Sequence, residues 1–195
     1  MHKARNRTMA TVVTMLVIAI AILSFYFYWM FRIKPLEDNA EEEMSEVQKL
    51  INKDLDIFYP ETPREITKLF GSMMKNLYDN ISDEEVEALA LKVRELYDED
   101  FLAVNPQETY LRNLYSDIAS WKKVNRRISA YHLVNEKEEQ QEQLEGVEYA
   151  ITYLSFTIQE NGKFTETWKI MLRQNKDKKW KILGWQVVPV ELPTE

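Results

Sequence analysis

The chain has 195 residues, 45% hydrophobic and 29% charged, which fits one ordinary domain with an appendage and excludes a multidomain machine. Having no cysteine excludes disulfide scaffolds, thiol nucleophiles, Cys-ligated zinc and iron–sulfur clusters; two histidines, His2 and His132, leave little for a metal site or a Ser-His-Asp triad, so no metal and no cofactor is expected. A formal net charge of -7 argues against nucleic acid as a partner, because phosphate binding needs a basic field.

From Thr8 to Phe31 no residue is charged, and Arg7 and Arg32 bound the run. At about 1.5 Å per residue this is roughly 36 Å of helix, enough to cross a hydrocarbon core of about 30 Å. Tyr26, Tyr28 and Trp29 cluster at its far end, where amphipathic rings settle at a headgroup interface. The competing reading is a cleaved signal peptide after the basic Met1–Arg7. Its apolar core would be far longer than about 7–15 residues, and the exit Tyr28-Trp29-Met30-Phe31 has no small-x-small cleavage site. A transmembrane helix over 8–32 is therefore expected, with the lipid bilayer as its partner. Lys3, Arg5 and Arg7 put the tail, residues 1–7, on the cytoplasmic side of the cell membrane. All 32 acidic residues lie beyond position 33, on the side read as extracytoplasmic.

Residues 33–60 read as an acidic juxtamembrane helix and linker. Met44, Val47 and Ile51 recur at helical spacing, predicting a helix over about 39–54, and Tyr59-Pro60-Glu61-Thr62-Pro63 breaks it. The remaining residues, 61–195, read as one extracytoplasmic α+β domain.

Three helix starts follow. Thr62, Pro63 and Glu65 spell a capping box with proline at the first helical position, and Ile66, Leu69, Phe70, Met73, Met74 and Leu77 form one stripe behind it. Ser82 and Glu85 repeat the box before Val86, Leu89, Ala90, Val93, Leu96 and Tyr97. Asn105, Pro106 and Glu108 open a third helix with the face Leu111, Leu114, Tyr115, Ile118 and Trp121. Such stripes are ordinarily core, and three one-sided helices need a common partner to cover them.

After about Asn125 the period changes to two. Strands are predicted over 128–135, 147–159, 164–174 and 180–188. Asn161-Gly162 predicts a two-residue type I′ hairpin. Phe164, Trp168, Ile170 and Leu172 share a face interrupted by Glu166. Trp180 and Ile182 fall out of phase with Trp185 and Val187, and a bulge at Gly184 would return them to one face. The second strand is apolar on both sides and should be central or covered twice.

Three helices before an antiparallel sheet of about four strands, closing on Lys179-Trp180-Lys181-Ile182-Leu183-Gly184-Trp185, resembles the nuclear transport factor 2-like cone. That family commonly has a short strand before its third helix, and Asp98 to Val104 is a poor candidate for it. Leu55-Asp56-Ile57-Phe58-Tyr59-Pro60-Glu61-Thr62-Pro63-Arg64-Glu65 and the tryptophan-rich end resemble an uncharacterised family of single-pass Gram-positive membrane proteins, a domain of unknown function. That resemblance implies a cytoplasmic tail, one span and an outer domain, and no catalytic residues. The same plan is shared by a scaffold subunit of type IV secretion and conjugation machines, an analogy of fold alone.

A cone of that kind implies a pocket between helices and sheet. Its candidates are Asp117, His132 and Tyr153, with Trp168 and Trp185 as walls. His132 alternates with Ile128, Ala130 and Val134, which would aim it inward, although a lone histidine on an apolar strand face is ordinarily a satisfied core residue. Lys122, Lys123, Arg126 and Arg127 form the one dense basic cluster of the outer domain, suited to anionic polymers or, more plainly, to a solvated helix end. The expected function is therefore non-catalytic binding at the cell envelope, with a protein partner or a second copy of the chain pairing through the sheet face. The alternatives are a small-ligand or enzymatic pocket and the secretion scaffold.

Overall fold

The computed structural model describes residues 23–24, 44–134 and 140–189. The chain divides into two compact units, Met1–Met44 and Ser45–Glu195, and the helices and strands below belong to the second.

Helix α1, Glu46–Ile51, is capped by Ser45, whose hydroxyl accepts from the Gln48 amide. Helix α2, Pro63–Leu77, and helix α3, Asp83–Arg94, both start on full capping boxes. Thr62 and Ser82 accept from Glu65 and Glu85, whose carboxylates reach back to the cap amides, so at each helix one first-turn donor and the cap's own amide are satisfied. Helix α4, Glu99–Val104, is capped by Asp98, which accepts from the Asp100 amide. Helix α5, Gln107–Lys123, starts after Pro106 with no side-chain cap. Asn105 instead turns its amide to the Phe101 carbonyl, and its own carbonyl accepts from Arg94.

Five antiparallel strands follow: β1 Arg127–Leu133, β2 Gln140–Leu144, β3 Val147–Gln159, β4 Lys163–Gln174 and β5 Trp180–Val188. β3 is central, as its two-sided apolar pattern demands. β4 pairs along one edge of it, while β1 and β2 follow one another along the other, β1 opposite 154–159 and β2 opposite 147–151. One β3 face, with Ala150, Leu154 and Phe156, is buried; Tyr149, Ile151 and Tyr153 on the other face are only half-buried.

The expected architecture is corrected in its element counts. The juxtamembrane helix, three further helices and about four strands become, among the described residues, five helices and five strands in an α+β fold, with α4 and β2 as the additions. No helix among the described residues is long and apolar enough to cross a membrane. Of the expected transmembrane helix 8–32 only Leu23 and Ser24 are described, so that expectation, like the start of the helix over 39–54, lies outside the described residues.

Turn chemistry is also corrected. Gln159 pairs with Lys163, so Glu160, Asn161 and Gly162 make a three-residue connection, and neither Asn161 nor Gly162 has positive φ. The type I′ signature instead sits at Glu145 and Gly146, with φ of 51° and 81°, between the paired Leu144 and Val147. It folds β2 back onto β3. All five β2 residues are exposed, so no apolar alternation announces this strand.

Two bulges set which way side chains point. In β1 the register slips at Ser129: Ile128 faces Ile158, but Ala130 faces Thr157. The extra residue reverses the alternation, so Tyr131 and Leu133 turn toward the helices, while His132, opposite Ser155, turns away. In β5 Met171 faces Gly184 and Leu172 faces Ile182, leaving Leu183 as the extra residue, with Gly184 at φ 156°. This bulge acts as expected and returns Trp180, Ile182 and Trp185 to the helix side. At the free edge of β5, Tyr97 makes a parallel bridge with Ile182, through the Ile182 amide to the Leu96 carbonyl and the Asp98 amide to the Ile182 carbonyl. This single bridge ends at Asp98, and the residues after it, Glu99–Val104, are helical.

The core lies between α2 and the sheet, with Ile66, Phe70, Met73 and Leu77 meeting Leu154, Ile170, Leu172 and Ile182, all essentially inaccessible. At its centre Thr67 and Thr152, both buried, share a 2.6 Å hydrogen bond from helix to strand. Gly71 permits the approach, since a Cβ there would lie 2.7 Å from the Tyr131 ring and 3.1 Å from Leu154.

Candidate functional site

Helix α5 is held differently from α2. Of its 17 residues only Leu114 and Ile118 are buried. Between its Asn113–Trp121 face and the helix-side faces of β4 and β5 lies a cavity of about 510 Å³. Other recesses are comparable or larger; one of about 630 Å³ lies over α2, between Lys53 and Tyr131. The cavity under α5 is distinguished by its walls.

Its floor is aromatic. The Trp168 and Trp185 indoles are parallel with centroids 5.5 Å apart, and Phe70 packs behind them at 6.3 and 5.3 Å. Phe101 meets Trp185 edge-on at 5.4 Å and Tyr97 at 4.9 Å. Tyr97 is brought here by its bridge to β5, Phe101 by the Asp98-capped α4, and Trp185 by the Gly184 bulge. At the far end Tyr78 and Trp121 pack at 4.3 Å. Offset and edge-on pairings of this sort each contribute about 0.5–1.5 kcal/mol beyond area burial.

Polar groups converge on these rings. The Tyr78 hydroxyl donates to Asp117 Oδ2 at 2.5 Å, and Trp168 Nε1 donates to Glu166 Oε1 at 2.5 Å. Tyr97 and Tyr110 meet edge-on with ring centroids 6.1 Å apart. Burial pushes the phenols of Tyr78, Tyr97 and Tyr110 upward, reinforced at Tyr78 by Asp117 and opposed at Tyr110 by the Tyr97 hydroxyl and by Arg94. These phenols therefore act as neutral donors. Asn113 and Asp117 are exposed and mark the mouth, while Glu166 and the indoles lie deeper.

Three of the five pocket candidates come together here: Asp117, Trp168 and Trp185. His132 and Tyr153 do not. His132 is exposed on the far sheet face because of the Ser129 bulge, and it borders a separate recess with Thr62, Arg64 and Glu65. Tyr153 sits between the buried Thr152 and Leu154 and so points to the far face as well. Sequence reasoning passed over Tyr78, Tyr97, Tyr110 and Glu166 as site residues. Glu166 carries a signal in the sequence, being the one acid on an otherwise apolar strand face; Tyr97 falls at the end of a helical stripe and carries none.

The basic cluster divides. Arg126 is committed to Glu160, at 2.6 and 2.8 Å, and lies over the Trp121 ring at 5.3 Å. Arg127 donates to Gln159, and Lys122 borders the same recess, which Asp79 and Glu160 also line. Lys123 is exposed at the α5 end and does not line that recess. Among the described residues no group of acidic or histidine side chains is arranged to hold a metal ion.

Among curated proteins, none matches the chain. A domain of unknown function, DUF6715, matches it over residues 1–185, and with that extent of agreement the chain belongs to the DUF6715 family.

Proposed function

We propose that the Ser45–Glu195 unit is a non-catalytic binding module that takes a small ligand in the cavity between α5 and the sheet. One observation carries the reading: a cavity of about 510 Å³ with an aromatic floor and polar groups at one side, within the roughly 300–1,000 Å³ usual for small-molecule sites. No lysine, histidine, serine or threonine lines it, so a serine or threonine nucleophile paired with a histidine or lysine base has no material there. Asp117 and Glu166 already accept hydrogen bonds from a phenol and an indole, a state suited to orienting a ligand.

A thermal-shift screen of the full chain against a fragment library spanning cationic, neutral and anionic aromatics tests this, because a ligand that binds only the folded state raises the melting temperature. Hits are expected, and Asn113→Trp, a bulky ring at the exposed mouth, should abolish their effect without lowering the melting temperature of the free protein. A screen without hits, or hits indifferent to Asn113→Trp, would contradict the reading.

A further inference from the structure

Resting on the reading of this cavity as a ligand site, we propose that its ligand is a small organic cation, an alkylated ammonium or a protonated amine. Seven of the fourteen lining residues are aromatic, two are acidic and none is basic. Ring faces carry the negative lobe of the aromatic quadrupole, and indole is the strongest such surface, so a cavity walled by Trp168 and Trp185 favours a cation over an anion. Asp117 at the mouth and Glu166 on the sheet add formal negative charge at the same cavity.

The second oxygen of each carboxylate accepts no hydrogen bond from the described residues, since Tyr78 holds Asp117 through Oδ2 and Trp168 holds Glu166 through Oε1. An ammonium can therefore take up the remaining acceptor without displacing the group that orients it. Rings of this cavity already receive cations from the chain itself. Arg94 lies over Tyr110 at 5.1 Å and Arg126 over Trp121 at 5.3 Å. Tyr97, Phe101, Trp168 and Trp185 make no such contact with a cation of the described residues. An apolar neutral ligand would fill the space but leave both carboxylates without a counter-charge; an anion would meet them directly.

Three probes of nearly one shape decide the matter: benzyltrimethylammonium, its neutral carbon isostere neopentylbenzene, and phenylmethanesulfonate, each titrated calorimetrically into the full chain. The cation is expected to bind about tenfold or more tightly than the neutral isostere, the margin of a desolvated cation–π contact, and the sulfonate more weakly than either. Glu166→Gln and Asp117→Asn should each weaken the cation several-fold while leaving neopentylbenzene unchanged, and that unchanged binding shows that the cavity has kept its shape. Equal affinity for cation and neutral isostere, tightest binding of the sulfonate, or cation affinity indifferent to both substitutions would overturn the cation assignment and leave the cavity a ligand site. Binding of none of the three would overturn the assignment, and a fragment screen equally without hits would then remove the ligand site as well.

Discussion

The indole rings of Trp168 and Trp185 lie parallel at a centroid separation of 5.5 Å, held together from adjacent strands across the β4–β5 ladder. Trp168 is opposite Val187 and Trp185 opposite Ile170, so the two rings are diagonal neighbours on one face rather than a directly facing pair. Trp168→Ala and Trp185→Ala should each lower stability by roughly 2–3 kcal/mol, less than full burial would cost because both rings are partly exposed at the cavity. The double variant should fall short of additivity by about 0.5–1.5 kcal/mol, the coupling of one aromatic pair. Urea unfolding of the four proteins measures it.

Asp98 ties the β5 edge to β4. It is 2% exposed, accepts two hydrogen bonds from Arg173, caps α4, and lies beside Tyr97 in the bridge to Ile182. Its carboxylate is the main cause that raises the Arg173 guanidinium above its already high ordinary range. Asp98→Ala should cost about 3 kcal/mol or more, the effect of breaking a buried pair from one side. Arg173 also meets Asp100 at 2.9 Å, but that side chain is 70% exposed, and Asp100→Ala should cost under about 1 kcal/mol. Equal losses by chemical denaturation would contradict this ranking.

Alkaline pH should unfold the domain through its phenols. Tyr59, Tyr78, Tyr97 and Tyr110 are all raised, first of all by burial; Tyr59 also donates to the Trp180 carbonyl at 2.7 Å. Unfolded tyrosine loses its proton near pH 10, whereas these folded phenols keep theirs. The folded state then binds more protons, so this contribution is complete below about pH 10 and declines as pH rises above it. Absorbance at alkaline pH should show these four of the ten tyrosines ionising only together with unfolding, and the melting temperature should drop above about pH 10. Free titration of all ten near pH 10 in the folded protein would contradict it.

The two hairpin glycines should behave oppositely. Gly146 has φ of 81°, and Gly146→Ala should cost roughly 1 kcal/mol even though nothing lies within 4 Å of the added carbon. Gly162 has ordinary φ and open space, so Gly162→Ala should be neutral or stabilising by up to about 1 kcal/mol. Thermal melts of the two variants read this directly.

Local grammar was legible in the sequence where it closes within a few residues. Thr62 with Glu65 and Ser82 with Glu85 cap their helices as the sequence predicts, and the strands over 147–159 and 180–188 keep their bounds, because capping boxes and runs of β-branched and aromatic residues bounded by turn residues need no distant partner. Features decided across the fold were not legible. Ser129 is the extra residue of a bulge only by virtue of where β3 lies, and it removed His132 from the pocket. β2 has no apolar pattern at all, and its pairing follows from the Glu145-Gly146 turn. Three of the fourteen lining residues, Asp117, Trp168 and Trp185, follow from the pocket between helices and sheet that the resemblance to a cone implies. Tyr97 joined it through a bridge of one residue pair at the β5 edge, a contact that sequence spacing does not encode.

The binding account is tested most directly by following the indole N–H signals of the full chain in a nitrogen–proton correlation spectrum during titration with benzyltrimethylammonium. Trp121, Trp168 and Trp185 line the cavity and should shift together along one saturable curve, while Trp180, buried at the start of β5 and outside the cavity lining, should not move. Signals that all stay in place, or a Trp180 that shifts as far as the other three, would contradict it.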